Sequence, residues 1–217
     1  MISAALPRAL HWQALPALAG ATLAYAPQAM DDAQSWFARL RHEIAWERHR
    51  IRLFGRDIDS PRLSCWIGDA GAVYTYSGTR FAPHAWTPAL ATLRSWLEDA
   101  LGARFNSVLC NLYRDGQDSM GWHSDDEPEL GPEPVIASLS FGTARRFRLR
   151  HKRDATQRLE LDLAPGSLLL MRGATQRHYR HDLPKSAREV GARINLTFRY
   201  IQRRPQPDLA GGQARDA

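Results

Sequence analysis

The segment Arg193-Ile194-Asn195-Leu196-Thr197-Phe198-Arg199-Tyr200 alternates polar and apolar side chains without a break. In an extended chain successive side chains point to opposite faces, so Arg193, Asn195, Thr197 and Arg199 share one face and Ile194, Leu196, Phe198 and Tyr200 the other. The apolar face belongs to a core. The polar face admits two readings. It is either a solvated outer surface, ordinary in antiparallel sheets, or the lining of a cavity, where two guanidinium groups need anionic partners such as the two ends of a dicarboxylate. Alternation alone does not choose between them.

Upstream, the chain from Gly102 onward reads as short strands: Phe105 to Tyr113, Val135 to Phe141, Arg145 to Arg150, Leu159 to Leu163, Ser167 to Met171 and Arg193 to Ile201. Asp115-Gly116 and Ala164-Pro165-Gly166 are the clearest turns between them. Before Gly102 the period is helical. Ala33, Trp36, Phe37, Leu40 and Ile44 form the stripe of an amphipathic helix with Asp31 or Asp32 as N-cap. Thr87-Pro88 opens a second helix, with Leu90, Leu93, Leu97 and Leu101 on one face and Gly102 as its stop. Two helices followed by many short strands predict an α+β, mainly β fold, a sandwich or jelly roll with the N-terminal helices packed outside the sheet.

At 217 residues and 44% hydrophobic content, one domain with one substantial core is expected. It is placed at 1–202, with a catalytic core over about 100–202 and an N-terminal recognition part over about 23–99. The Pro-, Gly- and charge-rich tail 203–217 is expected to be disordered. The formal charge of +6 suits a polyanionic partner without requiring one. Two cysteines without a CxxC pair exclude a disulfide scaffold or a Cys-rich zinc site and point to a reducing cytoplasm. The apolar stretch Leu15 to Ala26 is broken by Pro16 and Gly20 and has a single basic flanking residue, Arg8, so it does not read as a signal peptide. No run approaches the ~18 apolar residues of a membrane helix. A monomer is expected.

Gly121-Trp122-His123-Ser124-Asp125-Asp126-Glu127 places an imidazole and a carboxylate two residues apart, on one side of an extended backbone. Two imidazoles and one carboxylate on one side of Fe(II) leave the opposite positions open for an oxoacid and oxygen. Among eight histidines a His-x-Asp pair is weak evidence by itself, and a surface turn rich in acids is the bland alternative. The second histidine is either His178 or His181, both in Ala174 to Pro184, and either could instead be a histidine of a basic loop.

The chain resembles the AlkB family of Fe(II)/2-oxoglutarate dioxygenases, particularly the branch containing its animal DNA- and RNA-repair members. The likeness runs in order through Ile51-Arg-Leu-Phe-Gly55, Pro61-Arg62, Tyr74-Thr-Tyr-Ser-Gly78, Phe105-Asn106 and Asn111-Leu-Tyr113. It continues through His123-Ser-Asp-Asp-Glu127, Ala137-Ser-Leu-Ser-Phe-Gly142, Pro165-Gly-Ser167, His181-Asp-Leu-Pro184 and Arg193 to Arg199. It implies a double-stranded β-helix, the jelly roll of that family. It further implies that His123, Asp125 and His181 hold Fe(II), with His181 preferred over His178 because it precedes the Leu-Pro pair. Asn111, Tyr113, Arg193, Thr197 and Arg199, with Asn195 nearby, are then the 2-oxoglutarate contacts. Six residues of strand separate the two arginine backbones by ~20 Å, so their side chains must lean toward each other to share so small a ligand.

The implied activity is O2-dependent oxidative demethylation of 1-methyladenine and 3-methylcytosine in DNA, with RNA as a further substrate, releasing formaldehyde, succinate and CO2. Such bases are extruded for reaction, and lesions that block pairing lower that cost. Tyr74 and Tyr76 match lesion-stacking positions, although ordinary strand aromatics would look the same. Asp126, with Glu127 as a lesser helper, is placed to favour a cationic lesion. Phe54 and Gly55, flanked by Arg56, resemble a wedge loop that enters duplex DNA, whereas a Phe in such a loop is otherwise a buried anchor. Arg50, Arg52, Arg56 and Arg62 form a basic patch that is either simply solvated or neutralises phosphates. The competing functions are the same oxygenase chemistry on RNA or protein and a nucleic-acid-binding module without catalysis.

Overall fold

A computed structural model describes residues 9–53, 56–76 and 79–202, so the tail 203–217 lies outside the described residues. Two antiparallel sheets carry the molecule. The larger has the spatial order β1 (Thr22–Ala26), β12 (Ser167–Arg172), β9 (Ile136–Gly142), β14 (Arg193–Arg199), β7 (Ser107–Tyr113) and β4 (Leu63–Gly68). The smaller has the order β11 (Arg158–Leu163), β10 (Arg145–His151), β13 (Tyr179–Leu183) and β8 (Met120–His123). Two hairpins stand apart from both sheets: β2 (Arg50–Leu53) with β3 (Arg56–Asp59), and β5 (Tyr74–Tyr76) with β6 (Thr79–Phe81). The structure is mostly β with few helices.

The helix signals act where the sequence puts them. α1 (Ala33–Glu43) is capped by Asp32, whose carboxylate accepts the Ser35 N–H at 3.1 Å. α2 (Pro88–Leu101) starts after Thr87, whose hydroxyl accepts the Leu90 N–H, and ends at Gly102 in the left-handed region with φ 60°. Their buried faces, Trp36 and Leu40 from α1 and Leu90, Leu93 and Leu97 from α2, join one core with Cys110, Leu139, Ile194, Leu196 and Phe198 of the large sheet. A second core fills part of the space between the sheets, with Leu169 and Met171 from the large sheet meeting Phe147, Leu149, Leu163 and Tyr179 from the small one. The apolar face of β14 therefore looks toward the helices and its polar face toward the small sheet. Gly142, at the end of β9 with φ 84°, sits where a Cβ would collide with the Ala192 carbonyl.

Periodicity does not announce several strands. The end of the apolar stretch Leu15 to Ala26 is β1, paired residue for residue with β12. β8 and β13 interrupt what the sequence presents as polar loops, because His, Arg, Gly and Asp dilute the β signal in them. Cys65 and Cys110 are buried free thiols opposite each other on β4 and β7. Among the described residues no helix is long and apolar enough to cross a membrane.

Leu93 is fully buried in the helix-side core. Leu93→Ala is expected to cost about 2–5 kcal/mol through lost burial and the cavity left behind, seen as a lowered denaturant midpoint at unchanged slope. A loss below about 0.5 kcal/mol, the range of surface substitutions, would mean that α2 does not pack there.

Candidate functional site

His123 and His181 are direct register partners across β8 and β13. Both imidazoles project from the inner face of the small sheet, with ring centroids 4.2 Å apart. Asp125, two residues beyond His123, adds its carboxylate on the same side, and one ligand atom from each of the three lies within 4.8 Å of the others. His123 Nδ1 lies 2.9 Å from the Gly121 carbonyl. Only a protonated nitrogen can donate to a carbonyl, so Nε2 is left with the lone pair facing the group. Arg199 Nη2 donates to Asp125 Oδ1 at 2.6 Å. Asp125 Oδ2 is buried with no hydrogen-bond partner, 4.0 Å from His181 Nε2.

Titration favours a cation here. Burial and the adjacent His123 push His181 down to about 3, against the opposing pull of Asp125. Burial likewise lowers His123, outweighing the carboxylate beside it. For Asp125 burial works toward the neutral acid, but Arg199, His181 and His123 together outweigh it and hold the carboxyl at about 2. At neutral pH the group is thus two neutral imidazoles and one carboxylate with an unshared oxygen. That donor set suits a divalent transition ion.

Away from the triad, the same cavity is lined by Asn111, Tyr113, Asn195, Thr197, Arg193 and Arg199. The polar face of β14 is therefore not solvated; it is the cavity floor. Asn195 donates to Ser138 Oγ at 2.7 Å, and Thr197 donates to Asn195 Oδ1 at 3.3 Å. Arg193 is 1% exposed and its charge lies 5.3 Å from the Tyr113 ring centroid. Its Nη2 donates to Ser140 Oγ at 2.8 Å, whereas Nε and Nη1 are buried without a partner. Burial pulls this guanidinium down to about 10. Unpartnered N–H groups on a buried guanidinium call for an anion, and a carboxylate is one that accepts such charge-assisted bonds. Both arginines line this one cavity: Arg199 meets Asp125 at the triad, and Arg193 stands beside Tyr113 and Ser140.

The expected substrate residues divide. Arg62 is corrected from an exposed basic patch to a buried wall residue, because its Nε donates to Asn111 Oδ1 at 2.7 Å inside the cavity. Asp126 is exposed, paired with Lys152 Nζ at 2.9 Å, and neither it nor Glu127 lines the cavity. Phe54 and Gly55 lie outside the described residues. Arg56 belongs to β3, and Tyr74 and Tyr76 to β5, as backbone. The β2–β3 hairpin springs from the cavity rim, since His49 and Ser60, which flank it and share a 2.8 Å backbone hydrogen bond, both line the cavity. His178 ends α3 (Thr175–His178) and stacks on His151 at 5.8 Å, outside the triad.

Some contributors escaped the sequence reading. Gln176 is buried on α3, and its Oε1 accepts the Asp125 N–H at 2.9 Å, which fixes the carboxylate's backbone. Nothing in a lone Gln marks such a role. Ser138 and Ser140 were also missed, although their alternation with Leu139 and Phe141 on one strand was a signal that could have placed them on a polar face.

A profile of the 2OG-Fe(II) oxygenase superfamily matches residues 22–199. Alpha-ketoglutarate-dependent dioxygenase alkB homolog 3 of Homo sapiens is 46% identical over 180 residues, covering 77% of this chain and 61% of that protein. DNA oxidative demethylase ALKBH2 of Homo sapiens is 40% identical over 180 residues, covering 78% of this chain and 69% of that protein. The chain thus spans about three fifths of the length of the alkB homolog 3 relatives it matches, 61% for those of rat and human. Among solved structures, OsALKBH1 superposes with a TM-score of 0.63 at 15% identity, over 88% of this chain and 100% of that one, which is a likeness of fold.

Because an unfolded chain takes up a proton at His181 that the folded, metal-free protein refuses, stability is expected to fall as pH drops below about 6.5, with a slope of at most ~1.4 kcal/mol per pH unit for that group. Thermal melts in chelator from about pH 8 to about pH 5 measure it. His181→Gln should flatten the slope, and an equally steep slope in that variant would contradict the assignment of a buried neutral imidazole.

Proposed function

Since this chain belongs to the AlkB-like part of the 2OG-Fe(II) oxygenase superfamily, we propose that it is an Fe(II)- and 2-oxoglutarate-dependent dioxygenase that demethylates N-alkylated bases in DNA, 1-methyladenine and 3-methylcytosine among them. The observation that carries this reading is one cavity that joins the His123, Asp125 and His181 donors to a buried guanidinium with two unused N–H groups, Arg193. The wall also holds Arg62 and Arg199, so three arginines line the cavity that holds the Asp125 carboxylate; the Asp182 carboxylate pairs with Arg148 on the outer face of the small sheet. Such a wall, with or without a bound cation, favours an anionic ligand.

His123, Asp125 and His181 would hold Fe(II), whose bound chemistry with 2-oxoglutarate and O2 is to oxidise the N-methyl carbon so that it leaves as formaldehyde, with succinate and CO2 as co-products. Arg193, seated on Tyr113 and Ser140, receives the far carboxylate of the cosubstrate. Asn111 and Asn195 line the space between, each steadied by a neighbour: Arg62 donates to Asn111, and Asn195 donates to Ser138. Arg199 keeps Asp125 ionised and oriented, and Gln176 fixes the backbone of the same residue. The apolar parts of the wall, Leu109, Phe147, Leu163 and Met171, keep bulk water from the oxidising centre.

The β2–β3 hairpin is rooted at the cavity rim, and we assign the segment bearing Phe54, Gly55 and Arg56, with Tyr74 and Tyr76 of the β5–β6 hairpin, to handling the extruded base. The N-terminal part, about 23–99, is then the recognition half of the domain. Asp126 meets a cationic lesion only by giving up Lys152.

Mass spectrometry of a 1-methyladenine oligonucleotide incubated with protein, Fe(II), ascorbate and 2-oxoglutarate tests the reading. Loss of one CH2 per repaired base, abolished in His181→Ala, is expected. Succinate release without a change in the oligonucleotide would move the substrate elsewhere, and neither product would end the catalytic reading. Arg193→Met is expected to raise KM for 2-oxoglutarate by about 100-fold or more, as for a buried charged hydrogen bond worth about 3 kcal/mol, while metal affinity stays within about threefold. An unchanged KM would remove Arg193 from that role.

A further inference from the structure

The outer face of the small sheet carries three cross-strand rows of charged side chains that differ in kind. In one row Arg146 is bound by Asp162 at 2.6 Å and by Glu160 at 2.8 Å. In the next, Arg148 is register partner of Glu160 and Asp182 and forms an ion pair with Asp182. In the third, Arg150 is register partner of Arg158 on one side and Arg180 on the other. All three of these arginines are exposed, and among the described residues none forms an ion pair. Arg150 instead lies 3.9 Å over the Trp122 ring.

Like charges directly opposite on neighbouring strands destabilise a sheet. The two adjacent rows show that this same surface balances its arginines with acids at the very next positions. A row left as three arginines is arranged for a ligand that supplies the negative charge in repeats. The row also connects to the reaction centre. Arg180 immediately precedes His181, and Lys152, just past the end of β10, reaches Asp126 beside Asp125.

We propose that Arg158, Arg150 and Arg180 form a track for the sugar–phosphate backbone of the nucleic-acid substrate, on the outer side of the sheet whose inner side carries His123 and His181. This rests on the nucleic-acid reading above and adds to it a surface separate from the hairpin around Phe54. The track recognises phosphate charge, not base identity.

The test is fluorescence anisotropy of an unmodified single-stranded oligonucleotide of about 15 nucleotides over about 50–200 mM salt, where each lost phosphate contact lowers the slope of log Kd against log salt by about 0.7. Arg158→Ala combined with Arg180→Ala should weaken binding by about tenfold and reduce the slope by about 1.4. The control Arg146→Ala, which removes the same kind of charge from a balanced row, should leave the slope in place. If the wild-type chain binds and the double variant keeps its slope, the track is wrong and the nucleic-acid reading stands. If the wild-type chain does not bind at all, both fall. Binding to vesicles of about 30% anionic lipid that is lost in the double variant, with oligonucleotide binding retained, would assign the row to a membrane surface and overturn the proposal.

Discussion

The Asp125–Arg199 ion pair ties the two sheets together at the point where the chemistry is placed. Arg199 closes β14 of the large sheet, and Asp125 follows β8 of the small one. A buried pair of this kind repays its desolvation only when its remaining donors and acceptors are satisfied. Here one carboxylate oxygen is taken by Arg199 and the other is left facing two imidazoles. The protein thus holds two imidazoles and a carboxylate together, and the cost of keeping them so is spread over both sheets.

That cost shapes the interior. Behind the large sheet, the space toward the helices is filled by an apolar cluster. Between the sheets the same strands turn serines, asparagines and arginines inward, and the apolar cluster there is confined to one side. Register explains how this is done without orphaned backbone. Ser64, Asn111, Asn195, Ser140 and Ser167 are successive cross-strand partners on β4, β7, β14, β9 and β12, so one polar row crosses the sheet inside an otherwise regular ladder. Arg193 is one step along β14 from this row and can be buried because Ser140 and the Tyr113 ring receive it.

Much of this was legible in the chain. Asp32, Thr87, Pro88 and Gly102 marked the helices by local chemistry that tertiary packing did not override, and the alternation of Arg193 to Tyr200 marked β14. What alternation could not supply was the sign of the face, since a solvated strand and a cavity floor share one period; the partner sheet decides it. Similarly, the choice between His178 and His181 turns on which of them pairs with His123 across β8 and β13, which is a non-local fact. Arg62 looked like one more surface arginine because its acceptor, Asn111, is remote in sequence. The arginine row on the small sheet is invisible for the same reason: Arg150, Arg158 and Arg180 become neighbours only through strand pairing.

The most direct measurement is an anomalous-diffraction structure with Mn(II) and a non-reacting 2-oxoglutarate analogue. The account requires a single metal peak bonded to His123 Nε2, the Asp125 carboxylate and His181, with the distal carboxylate of the analogue on Arg193. A metal bound elsewhere, or an analogue whose distal carboxylate ignores Arg193, would contradict it.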